Sequence, residues 1–332
     1  LMRTTGMGSM PGRDFREATR VVADLSGALL AWPELPQRDA SSAMIGRTLG
    51  LLAQPCELAT DGWRLAAARD SAQQRAARWW RTDLDDFEEL TQNHEGTIKV
   101  ALAGPWTLAA AVRLPYPTMN HVISDPGACR DIWQALAQGT ADLAESLQRR
   151  FGRPVVVQLD EPLIGAVLSG DLSTFSGLDR YRVPDREEVH GGWGQVVDAG
   201  HQVSGVEQVW LHSCASGIDV GLVDRAGFDG LALDTRFLDS ALVDECQAWL
   251  ADGHTLALGV VRTDQVEVPP VDRIVTDALQ ILRRLELPAD LLDAQMVLTP
   301  ACGLGGWPMP DAAQLLQRLM AAAELVAERI LG

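Results

Sequence analysis

The sequence predicts an α/β fold, namely a TIM (β/α)8 barrel with extra helices in its N-terminal half. Short apolar runs alternate with helical patterns along the second half, at a spacing of roughly 25 to 40 residues that is typical of βαβ units. The runs are nearly continuous in apolar residues, as in parallel strands that are covered on both faces. About eight strands can be counted in all, each with at least one helix, which favours a closed barrel over an open sheet.

The second half of the chain carries the regular part of this pattern. Strands are predicted at 155–160, 206–212, 228–234, 254–261 and 294–300. Helices are predicted near 185–199, 216–226, 239–250, 270–286 and 311–331. Each predicted strand is therefore followed by a helix, which is the order that builds a parallel sheet.

The first half is less regular. The stretch RTTGMGS predicts a first strand, followed by a helix near 14–31, and WRLAA predicts a weak strand. A long polar helix is expected over 68–92, a clear strand at 97–104 and a well-patterned helix over 125–150. No linker rich in Pro, Gly or Ser divides the chain, so a single domain is expected over 1–332.

Composition and charge exclude several classes of protein. The 332 residues are 47% apolar and carry a net charge of −17, which argues against a nucleic-acid or anionic-membrane partner. Five widely spaced cysteines do not indicate a disulfide framework. Neither a signal peptide nor an apolar run of roughly 18 residues is found, so we expect no membrane span and a cytoplasmic protein with reduced thiols.

In a barrel of this kind, the chemistry is carried by residues at the C-terminal ends of the strands. Polar side chains stand at nearly every such end. They are Ser9, Asp160, Glu161, His212, Cys214, Asp234, Arg262, Asp264 and Cys302. Surface charges scattered at random would not fall in this pattern.

Four of these side chains together predict a zinc site: His212, Cys214, Asp234 and Cys302. Taken alone, the His-X-Cys pair is more typical of a buried ring beside a small buried thiol. The ends of strands five, six and eight lie close together around a barrel mouth, however, and zinc prefers nitrogen, sulfur and carboxylate donors. Four such groups allow tetrahedral coordination.

Three further stretches are candidates for binding small molecules. Asp160 and Glu161, in QLDEP, are acid/base groups, substrate-binding groups or helix-capping residues, and an aspartate facing zinc could hold a substrate ammonium. Gly8 and Ser9, in GMGSMPG, form either a tight turn or a backbone loop that grips a small carboxylate. Trp106 either stacks on a flat ligand in a donor site or packs at the barrel mouth.

These motifs resemble those of one known family, the C-terminal catalytic barrel of cobalamin-independent methionine synthase. The family's QIDEP appears here as QLDEP, its His-X-Cys as HSC, and its CGL…GWP as CGLGGWP. The resemblance spans nearly the whole chain and is strongest over 155–165 and 206–310. The duplicated N-terminal barrel of the full-length enzyme has no counterpart, so the sequence resembles a short, single-barrel form.

The resemblance implies roles for the strand-end residues. His212, Cys214 and Cys302 would be zinc ligands, and Asp234 stands where the family has a glutamate as fourth ligand. By the same resemblance, Gly8 and Ser9 would bind the carboxylate of homocysteine. Asp160 would bind its amino group, with Glu161 beside it.

The sequence departs from the family at the methyl-donor side. Asp264 replaces a histidine that serves as proton donor, and Ala111 stands where a tryptophan stacks on the folate pterin. We therefore expect a thiol-acceptor site that is kept and a donor site, including Trp106 and Ala111, that is rebuilt. Asp264 could act as the proton donor only if burial raised its pKa well above about 3.9.

The expected function is zinc-dependent methyl transfer to a thiol, most simply homocysteine to give methionine. The donor is either methyltetrahydrofolate or a methyl-corrinoid, free or carried on a partner protein. Two alternatives stay open at this point: another zinc-thiol methyltransferase or decarboxylase of the same barrel superfamily, and a non-catalytic barrel with a structural zinc.

Overall fold

The computed structural model describes residues 2–25 and 27–332. The strands within these ranges are β1 (Arg3–Thr4), β2 (Leu29–Ala31), β3 (Cys56–Ala59), β4 (Gly62–Leu65), β5 (Thr97–Ala103), β6 (Val155–Asp160), β7 (Val206–Ser213), β8 (Gly230–Asp234), β9 (Thr255–Val261) and β10 (Met296–Pro300). The helices are α1 (Phe15–Leu25), α2 (Met44–Leu49), α3 (Ser71–Leu90), α4 (Pro105–Ala111), α5 (Pro126–Phe151), α6 (Ile164–Ser169), α7 (Arg186–His201), α8 (Val220–Arg225), α9 (Ser240–Ala251), α10 (Val271–Leu285), α11 (Ala289–Gln295) and α12 (Met309–Leu331). Among the described helices, none combines the length and apolar character needed to cross a membrane.

Eight of the strands form one parallel sheet in the order β1-β10-β9-β8-β7-β6-β5-β2. The chain just beyond β1 and β2 brings the two ends of this sheet together through a parallel bridge between Ser9 and Glu34. The Met10 amide donates to the Glu34 carbonyl oxygen at 2.8 Å, and the Glu34 amide donates to the Gly8 carbonyl oxygen at 2.9 Å. The predicted TIM barrel is therefore confirmed.

The regular second half folds as its pattern predicts. Each of its five predicted strands begins and ends within two residues of the expected bounds. Four of these strands are buried at almost every position, and β7 is buried from Val209 onward, in agreement with their apolar character. The helices between them cover the outside of the barrel, so that the strand ends are left to form the mouth.

The second strand of the barrel is a correction to the sequence-based prediction. The helix expected near 14–31 ends at Leu25, and Leu29–Ala31 pairs with β5 as barrel strand β2 (Ser26 lies outside the described residues). WRLAA belongs instead to β4, which forms an antiparallel hairpin with β3 outside the barrel. A strand of three residues is too short to show its own period, and its apolar residues continue the helical pattern before it.

The extra N-terminal helices are attached to the barrel through Trp32, which directly follows β2. Its ring is stacked on Phe87 of α3 at 4.4 Å between centroids, and it lies 5.5 Å from Phe15 of α1 and 5.7 Å from Trp80. The side chain is only 1% exposed. This aromatic cluster fixes the chain just ahead of Glu34, at the barrel mouth.

The barrel interior combines a small apolar cluster with a few polar side chains. The apolar members are Met7, Leu29, Val156, Trp210, Ala232, Ala257 and Val297. Lys99 pairs in register with Val156, and Gln158 with Trp210, so these two polar side chains point into the same interior. Asp160 and His212 form the next such pair, at the C-terminal end of the barrel.

We expect the Trp32→Ala variant to lose about 3–5 kcal/mol of its free energy of unfolding, because it removes a large buried ring that joins two helices to the barrel. Urea denaturation followed by circular dichroism measures the change. Leu178→Ala, at a side chain that is 91% exposed, is the matched control and should stay within about 0.5 kcal/mol of wild type. Equal losses in both variants would show that the aromatic cluster does not hold these helices in place.

Candidate active site

His212 lies at the end of β7 and is oriented by a carboxylate on the neighbouring strand. Its Nδ1 is 2.8 Å from Oδ1 of Asp160, and both side chains are buried. Because the carboxylate accepts, we assign the proton to Nδ1, so that Nε2, which lies 3.4 Å from the Ala301 carbonyl oxygen, carries the lone pair that can bind a metal ion. Burial lowers the pKa of His212, but the hydrogen bond and the charge of Asp160 outweigh it, and the pKa is raised overall.

Two cysteines complete a cluster with the imidazole of His212. The sulfur atoms of Cys214 and Cys302 are 3.4 Å apart, and the ligand atoms of all three residues lie within 4.8 Å of one another. Both cysteines are free thiols and partly exposed. The hydrogen bond that Cys302 donates lowers the pKa of Cys214 and raises that of Cys302.

The cluster fits a zinc ion. Two thiolates on a tetrahedral zinc, with Zn–S bonds of about 2.3 Å, would lie about 3.8 Å apart, close to the separation found here. The set of one imidazole nitrogen and two sulfurs is one that zinc prefers. The hydrogen bond from His212 to Asp160 is the outer-shell contact that zinc-binding histidines usually make.

Asp234, the fourth residue expected in the zinc site, is engaged elsewhere. It ends β8 and is buried, and its carboxylate accepts from Nε of Arg236 at 2.9 Å and from the Arg236 amide at 3.0 Å. It does not belong to the three-residue cluster found among the described residues. A metal ion would therefore have to draw this carboxylate away from Arg236.

Asp264 also lies in an ion-pair network at the rim. It accepts from Arg236 at 2.9 Å and from Arg262 at 2.8 Å, and its side chain is 46% exposed. The hydrogen bond from Arg262, together with both positive charges, lowers the pKa of Asp264 to about 2. The sequence-based hypothesis of a proton donor requires a raised pKa, so the structure gives the opposite of what that role needs.

The loop of Gly8 and Ser9 lies beside the cluster. Gly8 has φ +118°, and a Cβ atom there would be 3.0 Å from Oε1 of Glu34, so a bare backbone is required. The Leu304 amide donates to the Ser9 carbonyl oxygen at 2.8 Å, which ties this loop to the segment that carries Cys302.

Glu34 is a site residue that the sequence-based analysis missed. It is 4% exposed and pairs with Arg47 at 3.2 Å, and burial raises its pKa to about 7 in spite of that partner. It was overlooked because β2 was assigned to a helix. The stretch PELP, with a carboxylate between two prolines after an apolar run, is the signal that could have revealed a strand end.

The contacts of Glu161 favour a structural role over the acid/base and substrate-binding roles that were also open for it. It is fully buried, and its carboxylate accepts from the amides of Trp106 and Thr107, from the Thr107 hydroxyl and from Nε1 of Trp193. Burial raises its pKa to about 7. With these donors around it, the side chain holds the start of α4.

The expected donor-site residues lie on α4. Trp106 has no exposed surface, packs against Trp133 at 4.9 Å and donates from Nε1 to the Val189 carbonyl oxygen. Its ring therefore offers no free face for a flat ligand, which corrects the expectation that it is a stacking platform. Ala111 ends the helix and is partly exposed.

Solved structures of other proteins share this fold. A B12-independent methionine synthase from a Shewanella species, in complex with selenomethionine, is 13% identical with a TM-score of 0.67, and the match covers 100% of this chain and 99% of that one. A methyltransferase from Methanosarcina mazei is 14% identical with a TM-score of 0.56, covering 98% and 94%. At these identities the likeness shows the barrel fold alone. No curated protein matches the chain.

The family of the chain follows from a comparison with family models. The model described as the catalytic domain of cobalamin-independent synthase matches residues 88–325, which is well over half of the chain. The matched segment contains His212, Cys214 and Cys302. The chain therefore belongs to the cobalamin-independent methionine synthase family and is a methyltransferase of that type.

Proposed function

We propose that the protein is a zinc-dependent methyltransferase that moves a methyl group to the thiol of homocysteine and so forms methionine. The observation that carries this proposal is the convergence of His212, Cys214 and Cys302 at one point of the barrel mouth. Family membership supports methyl transfer, and the donor types support zinc. We also propose a cytoplasmic location, where thiols stay reduced.

The cluster would serve to activate a thiol. A thiol is a poor nucleophile at neutral pH, because its thiolate is the reactive form. Zinc, when bound, deprotonates a thiol that coordinates it. The two cysteines would hold such an ion as thiolates, and Asp160 keeps Nε2 of His212 directed at it.

The neighbouring residues suit the amino-acid end of homocysteine. Among the described residues, Gln158 and His212 donate to the carboxylate of Asp160, and both hydrogen bonds end on Oδ1. Oδ2 is therefore available to a ligand. Glu34 adds a second buried carboxylate, and the two would bind an ammonium group between them. The bare backbone at Gly8 and Ser9 suits a carboxylate. Selenomethionine bound to the Shewanella neighbour has the same amino-acid end.

Asp234 would be a ligand that is easily displaced. Its carboxylate already pairs with Arg236, and a bound metal ion would compete with Arg236 for it. Arg236 would keep a partner ready for this carboxylate whenever the metal did not hold it. Asp234 therefore stays the proposed fourth ligand.

The donor side favours a methyl-corrinoid over methyltetrahydrofolate. The folate amine is a poor leaving group that needs protonation, and Asp264, with a pKa of about 2, is ionised at neutral pH. It could donate a proton only after both arginines leave it. Ala111 gives no ring for a pterin, and Trp106 is buried. A corrinoid, free or on a partner protein, needs neither group.

The Cys302→Ser variant tests the zinc site. We expect wild type to bind one zinc ion per chain and the variant to bind it more than about 100-fold more weakly, since outer-shell changes alone cost about 10- to 100-fold. Competition with a chromophoric chelator measures the affinity. Cys246→Ala, at a buried thiol outside the cluster, is the matched control and should bind like wild type. Wild-type affinity in Cys302→Ser would exclude the site.

Replacing Arg236 tests the role of Asp234. We expect Arg236→Met to tighten zinc binding by up to about fivefold, because an ion pair near the surface is worth about 0.2–1 kcal/mol. The gain should vanish when Asp234→Ala is combined with it, as a double-mutant cycle of chelator-competition affinities would show. If Asp234→Ala left the affinity unchanged in both backgrounds, Asp234 would not be a ligand.

An assay of two donors with homocysteine tests the donor side. We expect methionine to form from methylcobalamin, and at least about 100-fold more slowly from methyltetrahydrofolate, because no group is poised to protonate the folate amine. The Asp264→Asn variant should keep the methylcobalamin rate within about threefold of wild type. A fast folate reaction that this variant abolishes would instead identify Asp264 as the proton donor.

A further inference from the structure

Lys99 is the single lysine of the chain, and it lies inside the barrel. It is on β5, its side chain is 1% exposed, and its Nζ donates to Oε1 of Gln158 at 2.6 Å. Two carboxylates, Asp160 and Glu34, are close enough to favour its charged form. Burial lowers the pKa of Lys99 to about 8, so the ammonium is still mostly protonated at neutral pH.

The ammonium group determines which way the amide of Gln158 points. An ammonium has three donors and no acceptor, so the oxygen of the amide must face it. The nitrogen of the same amide then faces the other way. It donates from Nε2 to Oδ1 of Asp160 at 2.7 Å and to the carbonyl oxygen of Met7 at 3.2 Å. Both of these partners are acceptors, in agreement with this orientation.

The orientation continues to the metal cluster. Oδ1 of Asp160 is also the atom that accepts from Nδ1 of His212. The direction of every hydrogen bond is thus fixed from Lys99, through Gln158 and Asp160, to Nδ1 of His212. The same amide holds Met7, the residue before Gly8, so the chain of contacts also reaches the loop expected to bind the substrate carboxylate.

We propose that Lys99 is a positioning residue of the metal site, which acts by orienting Gln158 and through it Asp160 and His212. This inference rests on the proposed zinc site. Without the ammonium, Oε1 of Gln158 would be left buried without its donor, and the amide would lose one of the contacts that hold it in place. Gln158 and Asp160 would then be positioned less tightly, and with them the partner that selects the tautomer of His212.

The Lys99→Met variant tests this inference, since methionine fills similar space and has no donor. We expect it to bind zinc about 10-fold more weakly than wild type in chelator competition, and to change the visible spectrum of the cobalt-substituted protein. Adding Gln158→Met to Lys99→Met should weaken binding by less than about twofold more, because the two residues act in one chain of contacts.

Thr255→Val is the matched control. Thr255 is also buried inside the barrel and accepts a hydrogen bond from Gln208 at 3.1 Å, without contact to Asp160. This variant should keep wild-type zinc affinity within about twofold. If Lys99→Met and Thr255→Val both left zinc affinity and the cobalt spectrum unchanged, Lys99 would have no positioning role.

A measurement on the wild-type protein serves if Lys99→Met fails to fold. Labelling with ¹⁵N-lysine gives one side-chain ammonium signal, which belongs to Lys99. We expect this signal to shift on addition of zinc to wild type and not to Cys302→Ser. If the protein bound one equivalent of zinc and the Lys99 signal did not shift, the positioning role of Lys99 would be overturned, and the proposed function would stand. A wild-type protein that binds no zinc would overturn the proposed function.

Discussion

The hydrogen bond between His212 and Asp160 is the contact on which the rest of the site depends. It joins the ends of two adjacent strands, and it selects the tautomer in which Nε2 of the histidine can bind a metal. The barrel supplies the register that sets these two side chains opposite each other. One cysteine directly after β7 and one shortly after β10 then meet the imidazole of His212, because both strands end at the same mouth.

The site divides into two halves of different electrostatic character. Toward Gly8 it is buried and acidic, with Glu34 and Asp160 balanced by Arg47 of α2 and by Lys99 inside the barrel. Such a pocket suits the ammonium of an amino acid. The donor side is more exposed, and its carboxylates are held in ion pairs with arginines. Under the proposed function, that contrast would separate the side that binds the thiol substrate from the side that receives the methyl donor.

The barrel and the elements of its second half could be predicted from the sequence, because nearly continuous apolar runs indicate parallel strands that are buried on both faces. The prediction was wrong at β2, because a strand of three residues shows no period of its own. Glu34 was not identified as a site residue for the same reason, since it follows that strand. His212, Cys214 and Cys302 could be found because their place after a strand is a local property. The burial of Trp106, the saturation of Glu161 and the pairing of Asp234 with Arg236 depend on contacts between distant segments, and no local pattern shows them.

X-ray absorption at the zinc edge, before and after addition of homocysteine, tests the central claim most directly. The account predicts a first shell with two sulfur neighbours and two nitrogen or oxygen neighbours in the resting protein. With homocysteine, it predicts a third sulfur in place of one oxygen, since His212 is held by Asp160 and Asp234 can move to Arg236. A first shell that the thiol leaves unchanged would contradict the account and indicate a structural metal.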